Sequence, residues 1–211
     1  MGVKLVSTSG GSIEVVAPAT ASNFTATMPA ATGNVVLDSA AQTLTNKSWS
    51  SPSGSTVSSG TSVASTSGTA IDFTSIPSWV KRITVMFSGV SLSGSDDLLI
   101  QIGDSGGFET TGYNSTGGAS AGSTQFIVGA SATTTGFFVY NHTGAGASFN
   151  FPYVLTNISG NIWIGSYSGN ESIRVIAGGG IKTLSDVLTQ VRITRTGTNT
   201  FDAGSINILY E

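Results

Sequence analysis

The sequence predicts an all-β protein: a C-terminal antiparallel β-sandwich, jelly-roll-like, preceded by a segment of isolated short strands. Three observations carry that prediction. Apolar and polar residues alternate with period two in many short runs from about Thr69 onward. Twenty-eight glycines, with many Ser, Thr and Asn, punctuate those runs as turns do. Helix-favouring Lys, Glu, Gln, Met and Arg are rare, whereas β-branched and aromatic residues fill the runs.

Residues 1–42 carry spaced apolar positions: Val3 and Leu5, Ile13 and Val15, Phe24, then Val35 to Leu37. Small residues separate them, so they form short strands but cannot enclose a core by themselves. Residues 43–68, "TLTNKSWSSPSGSTVSSGTSVASTSG", have the composition of a flexible linker. Ordering such a stretch costs about 1–2 kcal/mol per residue, and association with copies of the same chain is the simplest offset.

Residues 69–211 hold the sandwich. In "RITVMFSGV", Ile83, Val85 and Phe87 share the core face. In "DLLIQIG" Leu98, Ile100 and Ile102 do so, and in "GFFVYNH" Phe137 and Val139. "NIWIGSY" assigns Ile162 and Ile164 to the core and Trp163 to the opposite face. "QVRITRT" assigns Val191 and Ile193, and "SINILYE" Ile206, Ile208 and Tyr210. Within "KTLSDVLTQVRI" one short helical turn around Ser185 to Leu188 precedes the strand, and Gly178 to Gly180 read as a turn or bulge. On the outward faces Met86, Leu99, Phe138, Trp163 and Leu209 form an apolar set. Either some of these strands bury the other face, or the set is a subunit contact, with a ligand platform as the third reading.

Charged residues make up 9% of the chain and the net charge is −3, so no basic face is expected to draw it to nucleic acid. Lys81 and Arg82, the adjacent basic pair, read as a solvated strand entry. No cysteine is present, which excludes disulfides and thiolate chemistry. No apolar run approaches the roughly 20 residues that span a bilayer, and the first residues lack the features of a signal peptide or myristoylation site. The pentapeptide GDSGG around Ser105 matches the nucleophile sequence of trypsin-like proteases. The single histidine, His142, follows it rather than precedes it, and an apolar strand runs into and out of the motif. A hairpin loop is the reading, and no enzyme activity is expected. Asp96 and Asp97 read as hairpin-loop acids. A calcium site built from Asp96, Asp97 or Asp104 is the lesser alternative, and no metal or cofactor is expected.

One stretch carries a family resemblance. Ala17 to Thr25, "APATASNFT", then Met28 to Gly33, "MPAATG", then Thr43 to Lys47, "TLTNK", resembles segments that recur in bacteriophage tail fibre proteins. The later stretch "TAIDFTSIPSWVKRITVMFSGVSLSGSDDLLIQIGDSGG" resembles a β-rich module of phage tail proteins. The resemblance implies a homotrimer located in the virion tail and made in the bacterial cytoplasm. Its N-terminal segment would attach to other tail proteins, and its head would face the host. An adhesive head would bind a bacterial surface glycan or protein through loop aromatics beside amides. Tyr113 with Asn114, Tyr140 with Asn141 and His142, and Tyr167 with Asn170 supply such clusters, and each equally suits a strand end packed on its neighbour. The alternative is a structural adaptor or head-decoration protein without a receptor.

Overall fold

The computed structural model describes residues 3–6, 9–10, 12–15, 57–121, 125–141 and 143–211. It divides into two compact units, Met1–Trp49 and Ser50–Glu211. In the first, β1 (Val3–Val6) and β2 (Ser12–Val15) pair as an antiparallel hairpin, Val3 opposite Val15 and Val6 opposite Ser12. Gly10, at φ 92°, supplies the left-handed backbone in the connection. Phe24 and Val35 to Leu37 lie outside the described residues.

The second unit contains β3 (Ser58–Ser59), β4 (Val63–Ala64), β5 (Ile71–Phe73), β6 (Arg82–Leu92), β7 (Leu98–Asp104), β8 (Gly107–Phe108) and β9 (Asn114–Ala121). It continues with β10 (Gln125–Thr133), β11 (Phe137–Val139), β12 (Phe149–Ser159), β13 (Ile162–Glu171), β14 (Arg174–Thr183), β15 (Gln190–Arg195) and β16 (Phe201–Tyr210). All pairings are antiparallel. One sheet runs β10-β9-β14-β13-β12-β6-β16-β3, with β4 also on β16. The other runs β11-β7-β15-β5, with β8 on β7. The protein is therefore all-β, and no helix occurs among the described residues. The segment after Leu184 is a bend and not the expected helical turn: Leu184 and Leu188 anchor it in the core.

The alternation on β6 is realised. Ile83 and Val85 are fully buried, and Phe87 nearly so, while Thr84 and Met86 are half-buried on the outer face. Val191 and Ile193 on β15, and Ile206 and Ile208 on β16, also face the core. On β13 the expected faces are inverted. Trp163 is 3% exposed inside the core, whereas Ile164 is 42% exposed. The register explains the inversion. Trp163 shares its face with Tyr167, and the intervening Gly165 clears room for the Tyr153 ring of β12. Ile164 pairs outward with Ile181 of β14. On the second sheet Leu99 and Phe138 are register partners, each 3% exposed, so β7 and β11 bury both faces. Of the five residues expected on outer faces, only Met86 and Leu209 remain there, both half-buried.

Gly178 to Gly180 are interior residues of β14 rather than a turn. Their lack of a side chain is what the core requires. A Cβ at Gly178 would lie 2.6 Å from Cε1 of Tyr167 and 2.5 Å from the Thr116 carbonyl. A Cβ at Gly117 would lie 2.3 Å from the Tyr167 hydroxyl oxygen, and one at Gly165 2.6 Å from Cε1 of Tyr153. Over this glycine floor runs a row of rings: Phe87 on Phe151 at 4.4 Å, Phe151 on Tyr167 at 5.2 Å, and Tyr167 on Tyr153 at 5.3 Å. It then crosses to Phe137 and Tyr113.

The linker-like stretch is part of the head from residue 57 onward. β3 and β4 lie on the edge of β16, Gly60 N–H donates to Ile208 O at 2.7 Å, and the buried Ser65 hydroxyl donates to Ala203 O at 2.7 Å. Phe201 N–H donates to Gly68 O at 2.9 Å. Main-chain hydrogen bonds to a sheet edge need no apolar side chains, so composition concealed this strand addition.

Two sets of substitutions test these assignments by thermal or urea denaturation. Trp163→Ala should cost about 3–5 kcal/mol, whereas Ile164→Ala should stay within about 0.5 kcal/mol. Gly178→Ala should cost about 1–3 kcal/mol through overpacking against Tyr167, a loss absent from the outward Ser166→Ala.

Candidate functional site

The loops gather at one pole of the second unit, and polar side chains stitch them together. Asn141 is the hub. Its Nδ2 donates to Gly94 O, Asp96 O at 3.1 Å and Gly144 O, and its Oδ1 accepts from Gly144 N–H at 2.8 Å. Its own N–H donates to Asp97 Oδ1 at 2.8 Å. Thr143 N–H donates to the fully buried Glu171 at 2.5 Å. Asp96 Oδ2 accepts from Asn199 N–H at 2.7 Å, tying in the turn before β16. Residues 93–97 connect β6 of one sheet to β7 of the other, so Asp96 and Asp97 lie in a sheet crossing and not in a hairpin.

Burial raises the Asp97 carboxyl above its ordinary range. The hydrogen bond from Asn141 opposes that rise, and the charges of Asp96 and Glu171 add to it. The β13–β14 hairpin ends at this pole in Ser172, at φ 54°, and Ile173, which is 95% exposed. Two hydrogen bonds hold the strained serine: Ser172 N–H to Ser148 O at 2.8 Å, and Ser148 N–H to Ser172 Oγ at 3.1 Å. Asn170 is exposed beside it, its Nδ2 donating to Ser172 O at 3.1 Å.

The structure thus brings Tyr140, Asn141, Tyr167 and Asn170 to one pole. Their surfaces differ from those expected of a binding patch. Tyr167 is 5% exposed and belongs to the core row, where its hydroxyl accepts from Tyr140 N–H at 3.4 Å. Asn141 is 7% exposed and spent on loop hydrogen bonds. Tyr140 is half-buried and stacks on Phe138 at 6.3 Å. Asn170 is the accessible member, and Ile173 joins it. His142 lies outside the described residues. Sequence reading missed Ile173 because one isoleucine in a strand-rich chain looks like core. The signal was its place after "GNES", where a two-residue turn puts it at a tip.

Tyr113 and Asn114 lie near the opposite end of β14, where Asn114 pairs with Ile181. Asn114 is exposed, but Tyr113 is only 2% exposed. The Tyr113 hydroxyl accepts from Ile102 N–H at 2.9 Å and donates to Glu109 O at 2.9 Å. Burial drives its phenol far above the usual range. Around it lies a polar latch. The nearly buried Lys182 pairs with Glu109 and lies 5.2 Å from the centroid of the Tyr113 ring. Glu109 also accepts from Ser185 N–H at 2.7 Å. Burial raises the Glu109 carboxyl, but Lys182 and Ser185 outweigh it and the net shift is downward. Asp104 accepts from Ser185 Oγ at 2.6 Å and Gly106 N–H at 2.8 Å, and these bonds lower its carboxyl.

GDSGG is the turn joining β7 to β8. Asp104 caps it and Gly107 takes φ 125°. A Cβ at Gly103 would lie 2.3 Å from Gly107 O, so glycine is required there. Among the described residues no three His, Cys, Asp or Glu side chains converge as a metal site. No protein-family model, curated protein or solved structure matches the chain.

The two poles should respond oppositely to acid. Asp104 and Glu109 bind protons less readily folded than unfolded. The stability they add is present above the unfolded carboxylate values and drains away as pH falls through the lower folded ones. Asp97 binds protons more readily when folded. Its benefit is full in acid and is lost as pH rises through its raised folded value. Asp97→Asn, which keeps an acceptor for Asn141, should therefore be more stable than the parent at neutral pH, with the gap closing below about pH 3.9. Asp104→Asn should be less stable at neutral pH and show a shallower acid decline. Urea melts at a series of pH values read both.

Proposed function

We propose that the chain is a phage tail-fibre protein whose C-terminal head adheres to a glycan on the bacterial surface. The observation that carries this reading is the loop pole. Asn170 at the end of β13, the fully projecting Ile173 in the β13–β14 turn and the half-buried Tyr140 lie at the end where Asn141, Asp97 and Glu171 tie the loops together and Ser148 holds the turn. Pre-ordered loops at one end of a β scaffold bind without first losing conformational entropy. The resemblance of residues 17–47 to tail-fibre segments supports a place in the virion tail, with the leading segment attaching to other tail proteins.

A homotrimer remains part of the reading. Its support is the scarcity of apolar residues in the first 42 positions and not the order of residues 57–68, which their own sheet edge accounts for. Several heads on one fibre would raise a weak single-site affinity through avidity. The reading is adhesive rather than catalytic. A structural adaptor is the second reading. The exposed Ile164–Ile181 pair and the half-buried Met86 and Leu209 on the outer face of the larger sheet favour it.

The test is binding of the purified protein to a panel of bacteria, competed by polysaccharide extracted from the strains that bind. Ile173→Asp and Asn170→Ala should weaken binding by about tenfold or more without moving the melting temperature. Sedimentation should give three times the chain mass of 21.3 kDa. Absence of binding across the panel, with a trimer still formed, would favour the adaptor.

A further inference from the structure

The pole opposite the loops carries a second constellation that neither the fold nor the loop reading uses. Trp79, in the turn before β6, is 41% exposed, and its ring lies 6.1 Å from that of Tyr210 at an angle of 52°. Val80 next to it is 3% exposed in the core, so Trp79 and Lys81 flank a buried anchor and are both left outside. The backbone here is tightly fixed. Val80 N–H donates to Pro77 O, Lys81 and Arg82 N–H both donate to Glu211 O, and Asn157 N–H donates to Lys81 O at 2.8 Å. Asn157 is held in turn by Nδ2 bonds to Gly160 O at 2.8 Å and Ile162 O at 3.2 Å.

The charges around the rings are unequal. Arg82 is neutralised by Glu211 at 3.1 Å. The Lys81 ammonium reaches only the neutral amide oxygen of Asn157, at 3.4 Å, and among the described residues no carboxylate pairs with it. An exposed indole face beside a phenol, a fixed amide and an uncompensated ammonium suits a ring with one apolar face, hydroxyls at its rim and a negative substituent. A quaternary ammonium fits worse, because Trp79 and Tyr210 touch each other and leave no cage, and Lys81 would repel it. We infer that Trp79, Tyr210, Lys81 and Asn157 form a binding site for an acidic saccharide. The sugar ring stacks on Trp79 and its carboxylate faces Lys81. This site shares no residue with the loop pole and stands or falls apart from it.

The full-length protein is titrated by calorimetry with oligogalacturonate and, in parallel, with a neutral maltooligosaccharide of equal length. Oligogalacturonate should bind saturably and more weakly as salt rises, and the neutral sugar at least about tenfold more weakly. Trp79→Ala should lose about tenfold or more, and Lys81→Gln should reduce the acidic ligand to the level of the neutral one. Lys81→Gln should leave the melting temperature unchanged, and Trp79→Ala, which gives up its ring contact with Tyr210, should lower it by only a few degrees, because Val80 makes the buried contact. Ile173→Asp should leave oligogalacturonate binding unchanged while it weakens adhesion to cells, which separates the two sites. The proposal is overturned if the parent binds neither sugar, binds both equally, or binds as well without Trp79.

Discussion

The larger sheet depends on a packing constraint: aromatic rings lie flat across strands that are glycine where the rings pass. Tyr167 covers Gly117 and Gly178, Tyr153 covers Gly165, and Phe151 presses on Gly169. A strand normally loses stability by carrying glycine, through unfolded-state entropy and missing side-chain contact. Here each missing side chain is replaced by part of a ring from the neighbouring strand. The cost falls on β9, β13 and β14, and the gain is a row of buried rings running from Phe87 to Tyr113 that ties the two sheets together. The same constraint turns Trp163 inward and leaves Ile164 outside.

With the interior filled by rings and aliphatic side chains, the few acids have structural work at the two ends. Asp96, Asp97 and Glu171 accept backbone N–H groups from loops that carry no helix or strand partners of their own. Glu109 does the same for the bend at Ser185, and Asp104 accepts from the hydroxyl of that serine. A chain with 9% charged residues cannot cover its loop backbones with side-chain charge and also keep acids free. The stitched loops and the Glu109–Lys182 latch are two outcomes of that scarcity. Exposed groups remain at both ends: Ile173 with Asn170, whose amide bonds to Ser172 O, at one pole, and Trp79 with Lys81, whose ammonium reaches Asn157, at the other.

The segment from residue 57 to Gly68 shows how far side-chain composition can mislead. Ser, Thr and Gly offer little to bury, and a composition-based reading makes them a linker. Their backbone nevertheless completes the hydrogen bonding of β16, whose outer edge would otherwise be open. Order in this stretch is thus a property of the single chain, and oligomerisation has to be argued from other residues.

By itself, the sequence determined the all-β class, the positions of β6, β7, β11, β13, β15 and β16, and the inward faces of β6, β15 and β16. Period-two alternation records burial directly when one face is apolar and the other polar. It also determined that GDSGG is a turn, because Gly and Asp at those positions have local conformational reasons to be there. Only the tertiary structure decided which face of β13 is buried, that Gly178 to Gly180 extend a strand, and that Tyr113, Tyr167 and Asn141 are internal rather than exposed. Each of those outcomes turns on what the neighbouring strand places opposite, and cross-strand partners lie far away in the chain, where no local pattern reports them.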